Sequence, residues 1–247
     1  VIPFVAGRVR VAGQVIWATN LHEVVTTTKE KHGGKAGGGG SSTVTQTTYS
    51  YYANFAVGIC EGPISSILRV WADGKEIDTT KITMRVYKGT ETQEADPLIA
   101  AKQGTPDVPA YRGLAYVVFE ELPLADFGNR LPQLTFEVLR SVGYEEEQVK
   151  AVAIIPGSTE FGYSKTPVKD GKDGPTTVYN NRHTLTALTD WEHSMDLLQS
   201  TCPECKTVAL VVSWFGDDLR VGECTIAPRV EVRKTTTPIE WRGAGLS

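Results

Sequence analysis

Cysteine is scarce in this sequence, and its scarcity excludes one common way of stabilising a small fold. The chain has 247 residues and four cysteines, which are Cys60, Cys202, Cys205 and Cys224. Four thiols are too few to form a disulfide scaffold for a chain of this length. The redox compartment in which the protein works is therefore left open.

Long apolar runs are also missing. The longest ones, Leu114 to Phe119 and Val208 to Phe215, fall far short of the roughly 20 residues that a membrane-spanning helix needs. The first residues show no charged region followed by an apolar one, so no signal peptide can be recognised. The sequence therefore predicts no membrane span. Because it opens without Met and stops at Ser247 without a terminating pattern, we expect a fragment of a longer polypeptide.

An excess of positive charge is absent as well. The formal net charge of -4 and the pI near 5.7 argue against a surface built to hold phosphate backbones. Hydrophobic residues make up 40% and charged residues 22% of the chain, which is ordinary for a globular protein. We therefore expect a folded protein without sequence-specific nucleic-acid binding.

Strand patterns dominate the first 140 residues. The segment from Tyr49 to Val57 alternates at period two, which predicts a half-buried strand. The segment from Ile64 to Ala72 leads through Asp73-Gly74 to Lys75, and this order is typical of a tight hairpin. Further strands are expected at Gln14 to Thr19, Met84 to Tyr87, Tyr111 to Glu120 and Leu134 to Leu139.

Two other segments of the first 140 residues are predicted to be a linker and a helix. The glycine-rich stretch from Lys29 to Ser42 cannot bury enough apolar surface to offset its ordering entropy, so we expect a flexible loop or linker there. A short helix is predicted from Asp96 to Lys102, because Asp96 can cap it, Pro97 suits its first turn and Gly104 can end it.

The composition changes after Arg140, where the segment from Gly143 to Gln148 is expected to connect two domains. Beyond this connection the pattern predicts a strand, a helix and a strand, the order that opens an α/β unit. Thr189 and Glu192 have capping-box spacing, and Pro203 ends the predicted helix. The strands are predicted to be buried and span Val149 to Ile155 and Val208 to Trp214; Lys165 to Asn181 is predicted to be an exposed loop.

Cys202 and Cys205 form a C-x-x-C pair, the spacing at which two thiolates can reach one metal or form a redox pair. Cys224 and conceivably Cys60 could complete such a set. A second close pair or histidines at fixed spacing are not seen, so a metal, a disulfide involving Cys224 and ordinary buried thiols all stay open.

Acidic residues raise the possibility of glycoside hydrolysis, since Asp217 and Asp218 follow a predicted strand and Glu160 and Glu223 could be partners. Adjacent carboxylates point apart, however, and a turn with Asp217 capping or solvated explains the pair better. Gly33 to Gly40 does not fit the phosphate-loop or dinucleotide spacing. A Gly-x-Ser-x-Gly motif is absent.

Histidines offer no metal motif, because His22, His32, His183 and His193 are widely scattered. The sequence therefore predicts no catalytic, cofactor-binding or metal-binding residue, and we expect a protein that is not an enzyme and needs no cofactor. A glycoside hydrolase-like or glycan-binding module of the cell envelope is the alternative.

Several long strings resemble the large tail-tip proteins of gene transfer agents and related long-tailed phages, which have a tail hub region followed by a TIM-barrel-like domain. The strings are YSYYANFAVGICEGPI (49–64), RVWADGKEID (69–78), DPLIAA (96–101), AYRGLAYVVFEELPLADFGNRLPQLTFEV (110–138), IPGSTEFGY (155–163) and VVSWFGDDLRVGECTI (211–226). Together they extend over nearly the whole chain.

The resemblance implies a β-rich α+β fold: a barrel- or sandwich-like hub module at residues 1–140, then the start of an α/β, TIM-barrel-like domain at residues 149–247. It implies a virion protein of the tail tip, assembled in the bacterial cytoplasm, that closes the tail tube and opens for DNA delivery. The implied partners are further copies in a trimer about the tail axis, the distal tail protein, other hub or baseplate proteins, tail fibres and host surface glycans.

Overall fold

The computed structural model describes residues 2–32, 42–104, 108–143, 145–155, 161–170, 174 and 177–227. The chain divides into two compact units, Val1–Arg140 and Ser141–Ser247.

The first unit is rich in β-structure. Its elements in chain order are β1 (Gly7–Ala12), β2 (Gln14–Ala18), β3 (His22–His32), β4 (Ser42–Glu61), β5 (Ser66–Ala72), β6 (Lys75–Glu76), 3-10 helix Thr79–Lys81, β7 (Thr83–Lys88), α1 (Pro97–Gln103), β8 (Leu114–Pro123), 3-10 helix Ala125–Phe127 and β9 (Leu134–Arg140). One antiparallel sheet has the order β1-β9-β5-β6. The other has the order β2-β4-β8-β7, with β3 also paired to β4.

The two sheets share one apolar core. Phe55 of β4 stacks on Phe119 of β8 with 5.0 Å between ring centroids, and both belong to the same buried cluster as Val70 and Phe136 of the other sheet. Large side chains that lose all contact with water each stabilise the fold by about 2 kcal/mol or more. A sandwich of two sheets is therefore what positions the rest of the unit.

Helix α1 covers the opposite face of the second sheet. Ile99 of the helix packs with Ala56, Tyr116 and Val118 in a second buried cluster. As a result Phe55 and Ala56, which point to opposite faces of β4, are both fully buried. The sequence prediction of a half-buried strand is therefore wrong for this part of β4, because the helix covers the face that was expected to meet solvent.

The start and end of α1 follow the sequence prediction. The Asp96 carboxylate accepts hydrogen bonds from the backbone N–H groups of Leu98 and Ile99, and Gly104 ends the helix in the left-handed conformation. The predicted hairpin after β5 is also confirmed. Asp73 and Gly74 both have positive φ angles, 49° and 84°, as a primed two-residue turn requires.

The glycine-rich stretch is shorter than the sequence predicted. Strand β3 continues to His32 and β4 begins at Ser42, so both ends of the predicted linker, residues 29–42, pair with each other in a ladder. The prediction of a flexible segment was based on the entropy lost on ordering. Cross-strand hydrogen bonds compensate for this loss at the two ends of the segment. The remaining residues, 33–41, lie outside the described residues.

The second unit contains β10 (Ala151–Ile154), β11 (Lys169–Asp170), β12 (Val178–Tyr179), α2 (Asp190–Thr201), β13 (Thr207–Leu210), β14 (Phe215–Gly216) and β15 (Ile226–Ala227), with a 3-10 helix at Glu146–Gln148. Strands β10 and β13 pair in parallel, and α2 lies between them in sequence. The Thr189 hydroxyl accepts a hydrogen bond from the Glu192 N–H at 3.2 Å, so the predicted helix start is confirmed.

Two predictions for this unit are wrong. All residues of β13 are exposed and those of β10 are half-buried or exposed, because in the described part of the unit each strand has only the other as a partner. The predicted loop at 165–181 contains β11 and β12. There the buried Asn181 side chain accepts from the Val168 N–H at 2.8 Å and donates to the Thr166 carbonyl at 3.0 Å, which folds the segment back on itself.

Candidate assembly surface

Strands β3 and β4 form a long hairpin that extends past the second sheet, and this hairpin is called the arm. Its ladder runs in unbroken register from the pair His22 and Tyr52 to the pair His32 and Ser42. Only the second half of β4 belongs to the body of the sheet, where Phe55 to Gly58 pairs with both β2 and β8. One strand of 20 residues therefore joins the arm to the core.

Each strand of the arm keeps one edge unpaired within the described residues. Strand β3 pairs with β4 alone. On the other side of β4, pairing with β8 begins at Tyr52 and the Leu124 N–H donates to the Tyr51 carbonyl. From Ser42 to Ser50 that edge meets no strand of the described structure. Unpaired N–H and C=O groups along two edges are templates for a further strand.

The arm has little apolar surface with which to stabilise itself. Its side chains are mostly exposed and rich in threonine, and the exposed ones include Val25, Thr26, Thr27, Lys29, Thr47, Thr48 and Tyr49. Threonine favours extended backbone but supplies no core. An isolated two-stranded hairpin is marginally stable in water, so pairing with a neighbouring chain would add what the arm itself lacks.

The arm is fixed to the body at its root through Glu121. The Glu121 carboxylate lies 2.7 Å from Nδ1 of His22 at the start of β3 and accepts a hydrogen bond from the buried amide of Asn54 on β4. The side-chain oxygen Oδ1 of Asn54 accepts a hydrogen bond from the Glu121 backbone N–H at 2.9 Å. The His22 ring and then the Asn54 amide lower the pKa of Glu121 below its ordinary value. The root is thus a polar clamp on both strands.

Four aromatic residues of the first unit lie in different surroundings. Phe55 is in the core, whereas the Tyr49 side chain on the arm is 55% exposed. The Tyr51 hydroxyl bonds to Glu23 across the hairpin, and this hydrogen bond raises the pKa of Tyr51. Trp71 lies in the other sheet, where the guanidinium of Arg10 stacks 4.0 Å from the ring centroid. Tyr49 is the aromatic side chain of this set that the arm presents to solvent.

The acidic residues considered for catalysis have local structural roles. Asp217 accepts a hydrogen bond from the Thr225 N–H at 2.7 Å. Asp218 accepts two from the Arg220 side chain at 3.0 and 2.7 Å, which lowers the pKa of Asp218 and raises that of Arg220. Glu223 is exposed, and Glu160 lies outside the described residues.

The histidines have different local surroundings from one another. His22 is at the arm root, His183 contacts Asp190 at 2.6 Å, His193 contacts Thr186 at 3.1 Å, and the side chain of His32 lies outside the described residues. The thiols are free, with Cys60 buried and the other three half-exposed. Across the described ranges, no group of three or more His, Cys, Asp or Glu residues could hold a metal ion.

Sequence reasoning missed β1, β3 and the outer half of β4. A signal for the arm was present, since HEVVTTTKEKH and STVTQTTYS flank the glycine-rich stretch and are both rich in β-branched residues. Neither string alternates between apolar and polar residues, and that alternation is what predicts a strand packed on a core.

Comparisons with known proteins give a partial match to a solved structure. No protein-family model matches it, and no curated protein matches it. Among solved structures it is similar to a chain described as "Virion of native gene transfer agent (GTA) particle", with 45% sequence identity over 62% of this chain and 31% of that chain, and a TM-score of 0.45. The match thus spans less than a third of the length of that virion chain.

Proposed function

We propose that this chain is a structural component of a phage-like tail tip, in the hub or baseplate, and that it has no catalytic activity. In this role copies of the chain surround the tail axis as a trimer, close the tail tube, contact the distal tail protein and hold fibres. The assembly opens when DNA is delivered, and tail fibres and host surface glycans are its further proposed partners.

The observation that carries this proposal is the arm. Two long open strand edges are a disadvantage in a protein that works as a monomer, because such edges pair with other chains. Within the described residues both arm edges stay open beyond the sheet, and β4 joins them to the core. Strand addition between subunits uses the backbone groups that the arm leaves unpaired.

The sequence resemblance supports the same role. The strings at 49–64 and 110–138 that resemble tail-tip proteins form β4, β8 and β9. These strands build the core and carry the arm, so the resembling segments and the candidate assembly surface belong to one structural unit. Asp217 and Asp218, two of the acidic residues considered for hydrolysis, are in contrast engaged in local turns.

The arm can be tested by placing a charge on its edge. We expect Val25→Lys, at a side chain that is 51% exposed, to weaken self-association of the purified chain about tenfold or more, because lysine on an edge strand opposes strand addition. Sedimentation velocity measures the change. Val212→Lys is the matched control, since Val212 is 66% exposed in the second unit; self-association that is equal in both variants contradicts a role for the arm.

The position in the particle is a separate question. Electron cryomicroscopy of particles that carry this protein should find it at the end of the tail, arranged about the axis. Copies found in the capsid shell, or particles that assemble normally without the protein, would exclude a hub role even if the arm mediates association.

A further inference from the structure

A thiol pair lies in the second unit, where helix α2 ends and strand β13 begins. The helix ends at Thr201, and the N–H of the next residue, Cys202, donates to the Leu198 carbonyl at 2.7 Å. The chain then turns through Pro203 and Glu204, and the Cys205 N–H donates back to the Cys202 carbonyl at 3.0 Å. Cys202 and Cys205 are thus the first and fourth residues of a hydrogen-bonded β-turn.

This turn places the two cysteines within bonding reach. The Cα atoms at the ends of a β-turn are less than about 7 Å apart, and disulfides usually join Cα atoms about 4.4–6.8 Å apart. Proline at the second position of a turn restricts the backbone in advance, so Pro203 holds the ends together in the reduced protein as well.

Both side chains can also meet a reagent. Cys202 and Cys205 are half-exposed, whereas Cys60 is buried. The Cys205 thiol donates to the carbonyl of Thr207 at 3.6 Å, a weak contact that is easily given up. Cys224 packs elsewhere, with its sulfur against Gly216. Proximity and exposure therefore coincide at this pair.

We propose that Cys202 and Cys205 form a reversible disulfide by exchange with a small disulfide such as oxidised glutathione. In the first step one protein thiolate attacks the small disulfide, forms a mixed disulfide and releases one small thiol. In the second step the other protein thiolate attacks the mixed disulfide at the protein sulfur, and a second small thiol leaves. Two electrons pass from the protein thiols to the small disulfide, and the two thiol protons end on the released thiols.

The experiment uses the full chain and reads the bond from one peptide. Trypsin is expected to cut after Arg182 and Lys206, so the peptide from His183 to Lys206 contains Cys202 and Cys205 and no other cysteine. After equilibration with oxidised glutathione and blocking with iodoacetamide, this peptide should lose two hydrogen atoms and accept no label. Dithiothreitol should restore both labelling sites.

Variants separate this disulfide from other outcomes. In Cys202→Ser, Cys205 should retain glutathione as a mixed disulfide, because no second thiol is near to displace it, whereas Cys224→Ser should leave the wild-type result unchanged. Full labelling of Cys202 and Cys205 at every glutathione ratio overturns the proposal, and so does a disulfide to Cys224. Protection of both thiols by Zn²⁺ without closure by oxidised glutathione overturns it in favour of a metal pair. Far-UV circular dichroism checks that each variant is folded.

Discussion

Arg85 on β7 donates two hydrogen bonds to the Asp96 carboxylate, from Nε to Oδ2 at 2.7 Å and from Nη2 to Oδ1 at 3.1 Å. Asp96 is fully buried, and its carboxylate also accepts from the Tyr87 hydroxyl at 2.8 Å and caps α1. One buried carboxylate therefore ties the helix to the sheet that it covers. This contact makes α1 a fixed layer of the first unit.

Removing that carboxylate should be costly. We expect Asp96→Ala to lower the free energy of unfolding by about 3 kcal/mol, because Arg85 is left without its main partner and the helix loses its cap. Urea titration followed by circular dichroism measures the loss. Asp126→Ala is the control, since Asp126 is exposed and should change stability by less than about 0.5 kcal/mol; equal losses would contradict the role of Asp96.

The same group predicts a dependence on pH. Burial alone would raise the pKa of Asp96, but hydrogen bonds from Arg85, Tyr87 and the Ile99 N–H outweigh burial and lower it. A carboxyl whose pKa is lower in the folded protein stabilises the fold above its unfolded pKa, near 3.9, and this stabilisation is lost as pH falls through the folded pKa.

We therefore expect wild type to be more stable than Asp96→Asn at pH 6, with the difference shrinking as pH falls below about 4. Urea midpoints of both proteins at a series of pH values measure it. The comparison with Asp96→Asn at each pH measures the contribution of the Asp96 carboxylate together with its contacts. A difference that stays constant down to pH 2 would contradict this assignment.

A backbone contact gives a third prediction. Gly89 has a φ of 81°, and a Cβ built there would lie 2.7 Å from the Ala115 nitrogen and 2.7 Å from the Gly62 Cα. Gly89→Ala should therefore cost about 2–5 kcal/mol, from about 1–2 kcal/mol for left-handed backbone and about 1–3 kcal/mol for overpacking. Thermal unfolding provides the measurement.

Gly74 offers a matched control for this substitution. Its φ is 84°, but a Cβ there meets nothing within 4 Å. Gly74→Ala should therefore show only the backbone cost of about 1–2 kcal/mol. If the two substitutions lower stability equally, the close approach of Gly89 to Gly62 does not contribute to the loss in Gly89→Ala.

The root of the arm supplies a fourth prediction. Asn54→Ala leaves the Glu121 N–H and carboxylate without the amide that satisfies both, so we expect a loss of about 1–3 kcal/mol in unfolding free energy. Faster hydrogen exchange at residues 22–29 should accompany this loss. Asn20→Ala, at an exposed site, should leave both unchanged; unaltered exchange in Asn54→Ala would show that the clamp does not hold the arm.

Local signals in the sequence predicted the parts of the fold that depend on a few adjacent residues. Asp73-Gly74 and the caps Asp96 and Thr189 each act within four residues of themselves, and each lies where it was expected. The burial of both faces of β4 could not be read in this way. It depends on α1, which begins at Pro97 and reaches the sheet through Arg85.

The candidate assembly surface was harder to predict than the core. An arm whose side chains face water on both sides carries no apolar alternation, so its existence depends on which strands pair across a gap in sequence. A β-rich character alone does not tell which strands have exposed edges. It did not indicate that β3 and the outer half of β4 carry them.

The continuity of β4 has a mechanical consequence. Ser42 in the arm and Glu61 in the body belong to one strand, so tension applied along the arm is transmitted into the body without passing through a loop. There it acts in shear on the ladders to β2 and β8, whose bonds share the load together and do not open one after another. A neighbouring chain that bound the arm would therefore load the sheet in the direction in which it resists force best.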